Sequence, residues 1–349
     1  MQFLKNTWYV AAWNHEVEAG ALFQRVLLKE PVLMFRDEDG KIQAISNRCP
    51  HRFAPLHKGK LVGNAVQCPY HGLEFNGQGR CTRNPHGDGA IPKAAQVRTY
   101  PVVEKHSLIW IWMGEVEKAN ESLIPDFSSM DPEHFYVGKR YLQVEANYVL
   151  ETDNIMDLSH IQYVHPGTLG SSEVSRSITS VKQEGDTVWS LREVQDEIMP
   201  EFLYKAMNIP NGTRVDRWID VRWDAPANML LHAGAVPTGR PREEGVNSPL
   251  PHLFTPETDS TTHYWFAFSL PKAMGEQARE IVEQQVAGIE VPFRTEDLPM
   301  LKDQQRMMGD AEFWDLKPVL LAGDAGAVRA RRVLDGLIAR EQESADQAA

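Results

Sequence analysis

Cys49-Pro-His51 and Cys68-Pro-Tyr-His71 each pair one cysteine with one histidine, and residues 52–67 between them are enough for a hairpin that points both knuckles toward one place. A structural zinc site also takes two cysteines and two histidines, but zinc-finger spacing usually puts the cysteines in one knuckle and the histidines in the other. Here each knuckle is mixed. A two-iron, two-sulfur cluster with Cys49 and Cys68 on one iron and His51 and His71 on the other requires that mixture, which raises its reduction potential above that of an all-cysteine cluster. An iron–sulfur cluster is therefore expected, with zinc as the alternative.

A second constellation lies in Glu151-Thr-Asp-Asn154-Ile-Met-Asp157-Leu-Ser-His160-Ile-Gln-Tyr-Val-His165. Asn154, Asp157 and His160 stand three apart, so on a helix they drift about 60° per step and form a polar stripe. His160 and His165 stand five apart, roughly 140° around a regular helix, too far for one ion. A π-type bulge must intervene, or the helix must end before His165, as Pro166-Gly167 favours. Two histidines and one carboxylate leave three facial positions open on iron(II), the arrangement that non-haem oxygenases use. Asp157 better suits an outer role, fixing His160 by a hydrogen bond. Glu296, Asp297 and Asp303 are the candidate carboxylates, and spacing does not choose among them. Taken alone the two histidines would be ordinary helix-end residues, but a one-electron cluster needs somewhere to send its electron.

The 349 residues suffice for two domains. Short strands are expected at 8–13, 23–28, 32–36, 41–46 and 108–112, so a first, all-β domain spans residues 1–115 and carries both knuckles. Residues 115–135, acidic and holding Pro125 and Pro132, read as the connection to a second domain, 116–349. There a helix is expected over 147–165, strands at 175–181, 188–194, 214–223, 229–236, 252–254 and 263–270, and helices at 273–285, 297–308 and 325–341. Two turn-rich loops, 195–212 and 237–251, are long enough to serve as a lid or pocket wall. With 36 basic against 48 acidic residues the net charge is −12, which argues against nucleic acid and an anionic membrane surface. The N-terminus lacks a signal pattern and no apolar run is long enough to span a bilayer, so a cytoplasmic location is expected. Cys81, the third cysteine, has no ligand partner and reads as an incidental thiol.

On these residues the chain resembles the oxygenase components of Rieske non-haem iron enzymes, in the branch of vanillate and dicamba O-demethylases and toluenesulfonate methyl-monooxygenase. The likeness runs through Asn6–Trp13, Cys49–Leu56, Cys68–Leu73, Tyr100–Glu104, Leu108–Trp112, Asp153–Leu158, Phe254–Thr258, Glu296-Asp297 and Asp324–Arg331. It implies an α+β fold: a small all-β Rieske [2Fe-2S] domain, then a helix-grip catalytic domain of antiparallel sheet and helices. It also implies that Asp297 is the third ligand of a mononuclear Fe(II), that Asn154 stands beside the iron, and that the protein is a head-to-tail homotrimer. In that trimer Asp157 would bridge His71 of one copy to His160 of the next. No Gly-x-Gly-x-x-Gly nucleotide fingerprint is present, so electrons from NADH must arrive through a separate reductase of flavin and ferredoxin type.

The activity so implied is a monooxygenase acting on a small aromatic acid with O2, by O-demethylation of a methoxybenzoate or hydroxylation of an aryl methyl group. A ring dihydroxylase or diaryl-ether-cleaving oxygenase is the alternative within the same chemistry, and a Rieske electron carrier the alternative outside it. His232 and His252 align with polar substrate contacts of the dicamba-type enzyme; otherwise they are strand histidines facing solvent or core. Arg214, Arg217 and Arg222 read as solvated charges on an outer sheet face, with one available to clamp a carboxylate or sulfonate. Phe202, Tyr204, Trp218, Trp223, Trp265 and Phe268 divide between core and pocket wall.

Overall fold

A computed structural model describes residues 2–348, which form two compact units, Lys5–Ile124 and residues 2–4 with 125–348. The division falls inside the acidic, proline-bearing connection.

The smaller unit holds ten strands in three antiparallel sheets. β1 (Trp8–Trp13), β9 (Val102–Lys105) and β10 (Leu108–Trp112) form the first, in the order β1-β10-β9. β1 and β10 are buried throughout, and Trp8 meets Trp112 edge to face at 5.4 Å. Continuous apolar runs of this kind suit strands covered on both faces. β2 (Phe23–Leu27), β3 (Glu30–Arg36) and β4 (Ile42–Ser46) make the second sheet. The third is a meander of β5 (Lys60–Val62), β6 (Ala65–Gln67), β7 (Glu74–Asn76) and β8 (Cys81–Arg83). The first knuckle follows β4 and the second joins β6 to β7, so each Cys-His pair sits where a strand ends. Cys49 and Cys68 belong to one apolar cluster with Leu33, Phe35, Val66 and Phe75.

The larger unit is built on a seven-stranded antiparallel sheet of β11 (Phe135–Val144), β12 (Ile178–Glu184), β13 (Thr187–Glu197), β14 (Val215–Asp224), β15 (Asn228–Pro237), β16 (Val246–Pro256) and β17 (Thr262–Pro271). Its order is β11-β17-β16-β15-β14-β13-β12. β11 was not anticipated: its Gly138, Lys139 and Arg140 blunt the apolar signal. The expected loop 237–251 is half strand, because β16 starts at Val246; the expected loop 195–212 contains helix α3 (Glu201–Ala206). The helix expected over 147–165 is broken into α1 (Tyr148–Met156) and α2 (Ile161–Val164), joined by a 3-10 turn at Leu158–His160. α4 (Gln277–Pro292), a π-helical turn at Phe293–Asp297, α5 (Leu298–Met308) and α6 (Ala325–Ala348) complete the unit. No helix among the described residues is long and apolar enough to cross a membrane.

α4 packs over β11 and β17 and feeds directly into the π turn that ends at Asp297. The approach depends on Gly138 in β11, where an added Cβ would lie 2.7 Å from Val286 Cγ1 and 2.9 Å from Val282 Cγ1. A glycine inside a strand commonly marks such close contact. Gly138→Ala is expected to cost about 1–3 kcal/mol by overpacking, read as a lowered denaturation midpoint. It should also weaken iron retention, because the displaced helix carries Asp297.

Candidate active site

α1 begins at Asn147, whose side chain accepts the Val149 N–H at 2.8 Å. It ends after Met156 because Asp157 leaves helical geometry (φ −119°, ψ 94°) and caps the following turn, accepting the Ser159 N–H at 3.0 Å. α2 lasts one turn, and His165 closes it with a backbone bond to the Ile161 carbonyl at 3.2 Å. Gly170 then folds back so tightly that a Cβ there would strike that same carbonyl. The interrupted helix thus brings the His160 and His165 rings to 5.4 Å between centroids, which a regular helix does not. Asn154 remains on α1, whereas Asp157 occupies the break and belongs to no continuous helical stripe.

The carboxylate arrives from α4. Pro292 is its last residue, and the wider π turn that follows ends at Asp297. Asp297 Oδ1 lies 3.1 Å from His165 Nε2 and 3.4 Å from His160 Nε2, and accepts from Asn154 Nδ2 at 3.1 Å. Ligand atoms of His160, His165 and Asp297 all fall within 4.8 Å of one another.

Behind these atoms each imidazole is held by its other nitrogen. His160 Nδ1 donates to the Asp157 backbone carbonyl at 2.9 Å, and His165 Nδ1 faces Glu296 Oε2 at 2.5 Å. Thr168 Oγ1 donates to the same Glu296 oxygen at 3.0 Å. Both Nε2 atoms are therefore directed at the shared point, as metal-binding histidines require. Asp303 is exposed and takes no part. Glu296, a candidate ligand by sequence, orients His165 instead.

The electrostatics fit a cation. Burial works to raise the Asp297 pKa, but hydrogen bonds and charge from His160 and His165 outweigh it and bring it down to about 2. Burial works to lower that of His165, yet Asp297 and Glu296 raise it. A divalent ion would displace such protons and satisfy the same donors. Glu151, fully buried nearby, is pushed up to about 8 by burial and by Asp297, which favours its neutral form.

The Asp157 carboxylate does not touch His160. Its oxygens bind Ser159 Oγ at 2.8 Å and Arg192 Nη2 at 2.8 Å, so it is the Asp157 main chain that fixes the histidine.

The triad opens into a cavity of about 120 Å³. One water needs about 10–15 Å³ on this measure, so a single-ring aromatic is the natural size of guest. Its walls are largely apolar: Leu158, Phe202, Met207, Leu231, Phe268 and Phe293 among them. α3, from the expected loop, supplies Phe202, Leu203 and Ala206. Tyr204, Trp218, Trp223 and Trp265 do not line it and serve the core.

His252 lines the cavity, 1% exposed, its Nδ1 2.7 Å from the Tyr264 hydroxyl; burial brings its pKa down to about 3, so it is neutral. His232 does not line it. Leu231 and Ala233 take the inward positions of β15, and His232 lies on the opposite face, beside Trp189 and Asn247. Arg214 is exposed and paired with Asp196, and Arg222 pairs with Asp224. Arg217 departs from the solvated-charge expectation: it is 3% exposed, lines the cavity and pairs with the fully buried Glu197.

In the smaller unit the two knuckles share one backbone pattern. Cys49 N–H bonds Ala54 O and Phe53 N–H bonds Cys49 O; Cys68 N–H bonds Leu73 O and Gly72 N–H bonds Cys68 O. The fifth residue of each turn has positive φ, Phe53 at 59° and Gly72 at 73°. Both cysteines are buried, and the His51 and His71 rings stand 4.5 Å apart toward the surface. Burial raises the Cys49 thiol to about 11 against the pull of the His51 and Arg52 N–H groups, with Cys68 adding to the rise. Those N–H groups aimed at sulfur, and two cysteines within hydrogen-bonding reach, suit a cluster that keeps both as thiolates. Among the described residues only the His160, His165 and Asp297 donors converge as a single ion needs, so the knuckles match the wider cluster better than one tetrahedral zinc.

Because Glu296 holds His165 from behind, Glu296→Ala should weaken ferrous-ion affinity about 10–100-fold, with Glu296→Gln retaining more of it. Titration of metal-stripped protein with Fe(II) measures both.

The chain matches the Rieske [2Fe-2S] domain family over residues 7–101 and the vanillate O-demethylase oxygenase C-terminal domain family over residues 144–340. It is 38% identical to the oxygenase component of chloroacetanilide N-alkylformylase from Rhizorhabdus wittichii, over 97% of each chain. It is 37% identical to the iron-sulfur subunit of a toluene-4-sulfonate monooxygenase system from Comamonas testosteroni, over 97% of this chain and 98% of that one. The crystal structure of dicamba monooxygenase bound to 3,6-dichlorosalicylic acid superposes with a TM-score of 0.90 at 36% identity, over 98% of this chain and 99% of that one. Two domains, two sets of candidate iron ligands and full-length similarity converge: this chain belongs to the oxygenase components of the Rieske non-haem iron monooxygenases.

Proposed function

We propose that the chain is a terminal oxygenase that oxidises an alkyl substituent on a single-ring aromatic, foremost by O-demethylation. One observation carries the reading: His160, His165 and Asp297 converge at the end of an apolar, ring-sized cavity. When bound, the cluster at Cys49, His51, Cys68 and His71 supplies single electrons and the iron at the triad activates dioxygen. The apolar walls exclude water and hold the ring, while Asn154 pins the Asp297 carboxylate by its 3.1 Å bond. His252 stands in the wall as a neutral imidazole, its Nδ1 held by the Tyr264 hydroxyl. Hydroxylation of a methoxy carbon leaves a hemiacetal that breaks to a phenol and formaldehyde, with the second oxygen atom leaving as water. An acid such as a methoxybenzoate is expected from the vanillate and dicamba likeness. The relatives' names span a sulfonate and an anilide as well, so they do not decide the substrate's charge.

NADH-derived electrons would reach the cluster from a separate reductase, and a cytoplasmic head-to-tail homotrimer suits the resemblance. In such a trimer Asp157 would stand between His71 of one copy and His160 of the next. Its side chain is partly exposed and anchored by Arg192 and Ser159, which supports that role.

Loaded protein should contain about three irons per chain, two in the cluster and one at the triad; an iron count of two would leave only the electron-carrier reading. With a surrogate reductase, methoxy-aromatic substrates should release formaldehyde, and a cis-diol without formaldehyde would point to ring dihydroxylation. Asp157→Asn should keep both metals yet slow turnover by about 10–100-fold. Loss of the third iron in that variant would instead make Asp157 a ligand.

A further inference from the structure

β16 passes the cavity with alternate residues. Ser248, Leu250 and His252 all line it, as the period of two in a strand requires. His252 stands at the triad end, its ring 5.6 Å from that of Phe293, where the π turn to Asp297 begins. Ser248 lies four residues back along the strand, about 13 Å from that end. It is paired with Ala233, another lining residue, so the cavity extends that far along the sheet.

α4 gives an independent measure. Gln285, Ile289 and Phe293 line the cavity at i, i+4 and i+8, one face of a helix. From Gln285 to Phe293 the helix covers about 12 Å. Both elements run toward the triad, so Ser248 and Gln285 mark the end away from it, with Leu231, Leu250 and Ile289 between.

These two side chains are the open polar groups of the lining. Both are partly exposed, and among the described residues neither has a hydrogen-bond partner. The Ser248 side chain is a single hydroxyl on an inward position of the strand, so its Oγ faces the guest. Other polar lining groups outside the triad are already held: Asn154 by Asp297, Arg217 by Glu197 and the Leu169 carbonyl, His252 by Tyr264. A polar substituent in the apolar middle would lose its water with no hydrogen bond in return. At the far end it meets a hydroxyl and an amide, each able to donate and to accept. On a single ring whose alkyl group meets the triad, the para position points to that end.

Resting on the oxygenase reading, we propose that Ser248 and Gln285 are specificity-determining residues that bind an uncharged hydrogen-bonding substituent, such as a carboxamide, placed para to the alkyl group being oxidised.

Calorimetric binding to the iron-loaded protein without reductant tests this with 4-methoxybenzamide, 2-methoxybenzamide and 4-methylanisole. The last keeps the para geometry without the polar group. Wild type should bind 4-methoxybenzamide about tenfold more tightly than either of the others. Ser248→Ala and Gln285→Leu should each reduce its advantage over 4-methylanisole by about threefold or more, while 4-methylanisole itself binds as before. A merely structural role would weaken both para probes alike. Should one variant fail to fold, the wild-type ratios and the other variant still decide. Equal binding of the three probes by wild type, an advantage unmoved in a folded variant, equal losses for both para probes, or binding of none overturns the proposal. Turnover is scored apart: a binding preference as expected, without formaldehyde from any probe, counts against the oxygenase reading alone.

Discussion

Glu296 and Asp297 flank His165 at its two ring nitrogens, Glu296 holding Nδ1 and Asp297 standing beside Nε2 at the point where an ion would sit, and the site depends on that placement. Adjacent residues on an α-helix point about 100° apart, so one imidazole is not ordinarily reached from both sides by such a pair. The π turn after Pro292 widens the backbone where this is needed. It sits between α4, seated on the sheet through Gly138, and α5. Sheet, helix and iron site are coupled through those few residues.

The knuckles were legible as a pair because their geometry is local: four candidate ligands in two short loops, each needing one turn. The mononuclear site was half legible. The 160–165 spacing demanded a break in the helix, and the structure places it at Asp157. The choice of Asp297 over Glu296 is a matter of backbone pitch, which residue spacing does not record, and only the family resemblance supplied it. β11 escaped notice because Gly138, Lys139 and Arg140 interrupt its apolar pattern, although glycine is what lets α4 approach. Arg217 was misread for a related reason. A strand arginine is ordinarily exposed, and its partner Glu197 comes into place through a bulge with no strong sequence mark. His232 and His252 looked alike in sequence; strand parity separates them.

The two metal regions solve opposite problems. At the cluster the cysteines lie in an apolar core while the histidines reach the surface, so the exposed edge is the one suited to pass an electron. At the triad the donors are largely buried and open onto apolar walls, which keep water from the point where they converge. Main-chain groups serve both: N–H groups of His51 and Arg52 toward Cys49, and the Asp157 carbonyl toward His160.

The buried Arg217–Glu197 pair is insensitive to one change in strand length. β13 carries one extra residue between Val194 and Glu197, where its register against β14 shifts and Asp196 is sent to the surface. Loss of one codon there would restore simple alternation and still turn the glutamate inward beneath Arg217, because the residue removed is the one the bulge already discards. The strand can shorten by one without stranding a charge in the interior.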